Sequence, residues 1–178
     1  MRLSHHLGVG CISAAIFAAL PGAASIASAH DGRTISLQFL GRYQPPDAAF
    51  DEGVSEIVAY DPDNEELYVV NAKAALVEII SIADPAHPVP VDEIDVAAFG
   101  GIANSVAVKD GVVAIAVEAF VKQDPGHILF FDTDRNFQSS VQVGALPDNV
   151  VFSPNGKYAV AACEGEPNDD YTNDPEGS

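Results

Sequence analysis

Ser105-Val-Ala-Val-Lys-Asp-Gly111 leads, through the turn signal Asp110-Gly111, into Val113-Ala-Ile-Ala-Val-Glu118. The short apolar runs, the β-branched residues and the Asp-Gly pair read as strand, tight turn, strand. The same unit stands on either side of it. Upstream, Glu56-Ile-Val-Ala-Tyr-Asp-Pro62 is followed by Leu67-Tyr-Val-Val-Asn71. Downstream, Asn149-Val-Val-Phe-Ser-Pro-Asn-Gly156 is followed by Tyr158-Ala-Val-Ala-Ala-Cys-Glu164. A strand–turn–strand unit recurring about every 45 residues is the signature of β-propeller blades. A sandwich or barrel also has short, evenly spaced strands, but it seldom repeats one turn chemistry three times at one period.

Each repeat is expected to hold four antiparallel strands, as in WD40 or YVTN-like blades. In the first they are Glu56–Tyr60, Leu67–Asn71, Leu76–Ile82 and Val91–Val96; in the second, Ser105–Val108, Val112–Val117, His127–Asp132 and Ser139–Val143. The third repeat shows only its first two. Ile35–Tyr43 alternates well enough to be a further strand, one that joins the two ends of a closed ring. The expectation is therefore an all-β propeller of about two and a half blades plus an N-terminal ring-closing strand, truncated within the third repeat. No helix is predicted after the first 29 residues, because apolar positions alternate instead of recurring at three and four.

Those first 29 residues read as a secretory signal peptide. Arg2 supplies the positive start, Cys11 to Leu20 the apolar run, and Ala27-Ser28-Ala29 the small-x-small cleavage site. Cleavage after Ala29 would make His30 the mature N-terminus of a propeller segment spanning residues 30–178. The chain is then expected to be secreted, periplasmic or at the cell surface. Cys163 is the sole thiol outside the leader, so no internal disulfide can form in residues 30–178, and a small buried strand residue is its expected role. A formal charge of −18 opposes binding to nucleic acid or to anionic membrane, and no transmembrane span is expected in residues 30–178.

Several motifs together resemble the choice-of-anchor I family. They are Phe50-Asp-Glu-Gly53, Glu56-Ile-Val-Ala-Tyr-Asp-Pro62, Asn104-Ser-Val-Ala-Val-Lys109, Lys122-Gln-Asp-Pro-Gly126 and Phe130-Phe-Asp-Thr-Asp134. Gly144-Ala-Leu-Pro-Asp148 and Glu164-Gly-Glu-Pro-Asn-Asp-Asp-Tyr171 complete the set. The resemblance runs from about Leu40 to the last residue. It implies an exported bacterial propeller similar to an animal mesenchyme-specific cell-surface glycoprotein. Some members carry alkaline-phosphatase or nucleotidase labels, often through attached domains. Cys163 departs from the family, which more usually has Asn there.

Propeller geometry turns the repeats into a site. Loops between blades, and loops joining a blade's second and third strands, lie on one face. In the repeat alignment Ser55, Asn104 and Asp148 are equivalent just before the innermost strand, and Ala72, Glu118 and Glu164 are equivalent at the end of the second. The connection after Asn71 is short, whereas Glu118–Gly126 and Glu164–Gly177 are long and end in similar turns. Long loops on a rigid scaffold are where binding residues collect. Clustered carboxylates and amides suit a hard cation, so Glu118, Glu164, Glu166, Asn168 and Asp169 are candidate ligands for Ca2+. Glu52, Asn104, Asp148 and Lys122 are further ligand-face candidates. Asp132-Thr-Asp-Arg-Asn136 opens like a calcium loop, but it lacks the sixth-position Gly and reads as a β-turn.

The function expected is an exported cell-surface or periplasmic binding module, assisted by calcium, for an extracellular ligand or surface component. Blades beyond Ser178 are the other expected partner. The alternative is part of a secreted phosphatase or phosphoesterase with its chemistry in another region. No catalytic constellation stands in these residues: there is no Gly-x-Ser-x-Gly elbow, no phosphate-cradling Gly loop and no metal spacing among His30, His87 and His127.

Overall fold

The computed structural model describes residues 25–28, 34–46 and 54–178. It divides into two units, up to Leu40 and from Gly41 to Ser178. In the first, β1 (Ser25–Ser28) pairs antiparallel with β2 (Thr34–Leu37). The regular strand expected over Ile35–Tyr43 therefore stops at Leu37, and its partner belongs to the segment read as a leader. Cleavage after Ala29 would remove that partner.

The second unit is a run of blades. β3 (Ser55–Asp61), β4 (Glu66–Asn71), β5 (Leu76–Ser81) and β6 (Val89–Asp95) form one four-stranded antiparallel sheet in chain order. β7 (Ala103–Lys109), β8 (Val112–Val117), β9 (Pro125–Asp132) and β10 (Phe137–Ala145) form the next. β11 (Pro147–Phe152) and β12 (Ala159–Cys163) open a third. Every strand read from the second and third repeats is present: β8 has the bounds expected, β7, β9, β10 and β11 are extended by one or two residues at an end, and β12 is slightly shorter than read. No helix among the described residues is long and apolar enough to cross a membrane.

Alternation builds the seams between blades. Tyr68, Val70, Val77, Ile79, Ile94 and Val96 of the first blade meet Ala103, Val106, Val113, Ile115, Val117, Leu129 and Phe131 of the second in one buried cluster. The intervening side chains of β8, Ala114 and Ala116, face the other way and pack with Ile128 of β9 and with Val150 of the third blade's first strand. Alanine on that side lets the next sheet come close. A fully buried aliphatic side chain contributes roughly 1.5–3 kcal/mol, so the first seam dominates the stability of the unit.

Polar contacts reinforce both seams. Arg135, in the β9–β10 turn, has φ 68° and donates through Nη2 to Glu66 Oε1 at 2.8 Å. Its Nε lies 3.3 Å from Asp92 Oδ2 on the outermost strand of the first blade. At the second seam the Val150 N–H donates to buried Ser105 Oγ at 3.2 Å. The Asp132–Asn136 stretch is a turn, as expected: Asp132 Oδ1 accepts from the Asn136 N–H at 2.9 Å, and this bond holds the Asp132 carboxyl below its ordinary range.

Candidate functional site

The first strand of each blade carries a bulge near its start, and that bulge sets the rim. Ala103 pairs with Val117 but Ser105 with Ala116, so Asn104 is the extra residue. Pro147 pairs with Cys163 and Asn149 with Ala162, so Asp148 is its counterpart. In the first blade Ser55 pairs with Asn71 and Val58 with Val69. Register therefore matches Ser55 with Ala103 and Pro147, and makes Glu56, not Ser55, the equivalent of Asn104 and Asp148. The offset of one residue from the repeat alignment comes from the turns: Asp61-Pro62 matches Asp110-Gly111 by residue type, but in register Asp61 corresponds to Lys109, because the two turns differ in length.

Behind the bulge, Glu118 closes β8. Its backbone is held at both ends, the N–H donating to Ile102 O at 3.0 Å and the carbonyl accepting from Gly101 N–H at 2.8 Å. The side chain is 6% exposed and turns toward the bulge, where Oε2 accepts from Asn104 Nδ2 at 3.3 Å. The same Nδ2 lies 3.3 Å from the Pro147 carbonyl of the next blade. Two expected site residues thus share one contact and tie adjacent blades. Glu164, the equivalent of Glu118, is exposed instead; its N–H donates to Leu146 O at 2.9 Å, and Leu146 itself has φ 50°. Asp148 is exposed. Glu52 lies outside the described residues.

The two long loops lie beside one another and flank a shallow, open cleft of about 450 Å³. One wall is Phe120, Val121, Lys122 and Gln123; the other is Glu166, Pro167, Asn168 and Asp169. Gln123 Nε2 donates across it to Glu166 O at 3.3 Å. Phe120 is 79% exposed, an unusual state for a phenylalanine. Lys122 has no hydrogen-bond or ion-pair partner among the described residues. Four of the expected residues (Lys122, Glu166, Asn168 and Asp169) therefore line one cleft, whereas Glu118 is not among its lining residues.

The third-blade loop is folded on itself. Asn168 Oδ1 accepts from the N–H groups of Thr172 and Asn173, each at 2.9 Å, and Asn168 Nδ2 donates to Thr172 Oγ1 at 3.0 Å. The Thr172 hydroxyl donates to Asp170 Oδ1 at 2.7 Å, which holds the Asp170 carboxyl below its ordinary value. Gly165 permits the loop to start, with φ 68° and a path so tight that a Cβ would sit 2.5 Å from Pro175 O. Both lone pairs of the Asn168 carbonyl are occupied in this arrangement, so it has none left for a cation. Among the described residues no three His, Cys, Asp or Glu side chains gather where they could hold a metal ion. Sequence reasoning missed the apolar wall of Phe120 and Val121; the signal was available, as two large apolar residues within a long loop.

Comparison with known proteins bears on the whole arrangement. The model of the choice-of-anchor I domain matches residues 56–178, from the first blade's opening strand through the long third-blade loop. The chain belongs to the choice-of-anchor I family. A search of curated proteins found no match. Among solved structures, this family member is similar to hydrazine synthase of Kuenenia stuttgartiensis, at 25% identity and a TM-score of 0.51, over 61% of this chain and 30% of that one. It is also similar to a 6-phosphogluconolactonase-like protein of Bacteroides fragilis, at 18% identity and a TM-score of 0.51, over 69% of this chain and 37% of that one. A luciferin-regenerating enzyme matches 92% of this chain and 54% of its own, at 14% identity and a TM-score of 0.55. The last two are β-propeller-type folds, and the likeness to them establishes the fold of this choice-of-anchor I chain. The chain spans between about a third and a half of the length of these proteins.

Proposed function

We propose that this chain is part of an exported propeller that binds an extracellular ligand or cell-surface component on its loop-bearing face. The cleft between the second- and third-blade loops carries the reading. It pairs an exposed aromatic wall with an unpaired ammonium and two carboxylates, on loops whose backbones are already fixed by their own hydrogen bonds. A site that is ordered before binding loses little entropy on closing around its ligand. Family membership and the leader-like N-terminus support export.

Calcium enters this proposal as an assisting ion. Glu118 and Asn104 offer oxygens at the rim, and a hard cation there would need the ligand to complete its shell of six to eight oxygens. Labelled protein is to be bound to surface polymer extracted from the producing cell, with and without Ca2+. Phe120→Ala and Lys122→Ala should keep the wild-type Tm and weaken binding by tenfold or more. Unchanged binding in both variants would remove the cleft from consideration. For export, sequencing of protein recovered outside the cytoplasm should begin at His30.

The hydrolase alternative draws on one observation, the nearly buried carboxylate of Glu118 at the rim. Turnover of a phosphate monoester by the chain, abolished in Glu118→Gln, would favour it over a binding module.

A further inference from the structure

The two long loops carry more negative charge than their share of the chain. Glu118–Gly126 and Glu164–Gly177 together hold eight carboxylates against one ammonium, that of Lys122. All of these carboxylates except Glu118 are exposed. Such a face repels anions and draws cations toward it from solution. Charge alone gives no address, because its field acts on any cation.

The cleft between the loops supplies the address. On one wall Phe120 is 79% exposed and Val121 53% exposed; on the other, Pro167 adds apolar surface. Glu166 and Asp169 flank Pro167, and their carboxylates have no hydrogen-bond or ion-pair partner among the described residues. An open aromatic face and free carboxylates thus border one space. A pocket for a small molecule ordinarily buries roughly 70–90% of it, which a shallow, open cleft cannot do. What such a cleft can take is one side chain of a longer segment passing over it. Arginine matches every feature: its planar guanidinium stacks on an aromatic ring, pairs with carboxylates through forked N–H donors, and trails an apolar stem. Lysine matches in charge only, as a compact and strongly hydrated ammonium.

We propose that the cleft seats an arginine of an extended basic segment of another protein, an assignment that rests on the reading of this cleft as the ligand site. The guanidinium lies over the Phe120 ring and is held by Glu166 and Asp169, while Lys122 donates to a main-chain carbonyl of the same segment. The walls stand ready for it, tied by the bond from Gln123 Nε2 to Glu166 O at 3.3 Å. Phe120 contributes the stacking surface, and the two carboxylates contribute charge and direction.

The test uses pools of heptapeptides, random at every position but the middle one. That position is arginine, lysine or citrulline, the last being a neutral isostere of arginine. Each pool is passed over the immobilised chain at about 0.15 M salt, where the general field is screened. The arginine pool should be retained about fivefold better than the citrulline pool and about twofold better than the lysine pool. Phe120→Ala should lower its retention about fivefold, and Glu166→Gln with Asp169→Asn should erase its advantage over citrulline, with Tm unchanged in each. Asp63→Asn with Asp110→Asn removes the same charge from the turns at the other ends of β4 and β8, and should leave retention as it was. Lysine or citrulline retained as well as arginine would overturn the proposal, as would equal losses in the two double variants. If surface polymer binds through Phe120 while the arginine pool does not, the ligand class is wrong and the cleft stands. If neither binds, the cleft itself is wrong.

Discussion

β8 and β12 hold the same place in successive repeats and are made of much the same residues, Val-Val-Ala-Ile-Ala-Val against Ala-Val-Ala-Ala-Cys. Their surroundings differ completely. β8 lies between two pairing strands and between two packed sheets, and every residue from Val113 to Val117 is buried. β12 has one pairing strand and one covered face; Val160 is 56% exposed and Tyr158 is 68% exposed. Small and β-branched residues are thus compatible with either fate. What decides between them is how many neighbours the strand has, a property of the repeat array and not of the strand.

The comparison can be broken most directly by cutting both strands. Ile115→Ala should cost about 2–5 kcal/mol in urea unfolding, because its cavity is enclosed on all sides. Val160→Ala should cost less than about 0.5 kcal/mol. Equal losses would mean that the third-blade strands are covered in solution.

A pH series probes the first seam. Burial disfavours the Tyr68 phenolate, so its hydroxyl is pushed up to about 12 from an ordinary 10.0. The protonated ring favours the folded chain in full below pH 10, and that advantage is lost as pH climbs through 12. The loss over that interval amounts to about 3 kcal/mol. Tyr68→Phe should flatten the fall between pH 10 and 12, measured by denaturant midpoint.

The seams themselves can be ranked next. Arg135→Ala removes the ion pair with Glu66, a half-buried contact between first and second blades, and should cost about 1–2 kcal/mol. Ser105→Ala leaves the buried Val150 N–H without its acceptor and should cost about 1 kcal/mol, with faster amide exchange confined to β11 and β12. Uniform exchange across both blades would show that the third-blade strands do not unfold separately. The smallest effect belongs to the loop. With the Asp170 carboxyl held below 3.8 by Thr172, the turn from Asn168 to Asn173 should stay protected as pH falls to that value, and should open only below it. Limited proteolysis across an acid series would read this, and cleavage at the loop well above pH 4 would contradict it.

Much of this was legible in the residues. Val112–Val117 was readable to its ends because its apolar run begins at a turn signal and stops at a charge. The long loops were readable as insertions between matched strands, and four of the proposed residues do line a single cleft. The reach of Arg135 was not readable, since its partner Glu66 is 69 positions away and nothing local marks either residue. The surroundings of Asn168 were unreadable for a related reason. An amide in an acidic loop looks like a cation ligand until the chain reverses and its own backbone takes both lone pairs.

Period, strand placement and loop length are short-range properties, dictated by the pleat and by turn chemistry, so the chain states them in its order of residues. The one-residue bulge that puts Glu56 beside Asn104 and Asp148 in register, the burial of Glu118 but not Glu164, and the cleft between loops 43 residues apart all arise when blade packs on blade. They depend on distances between segments remote in sequence, and only the packed structure sets those.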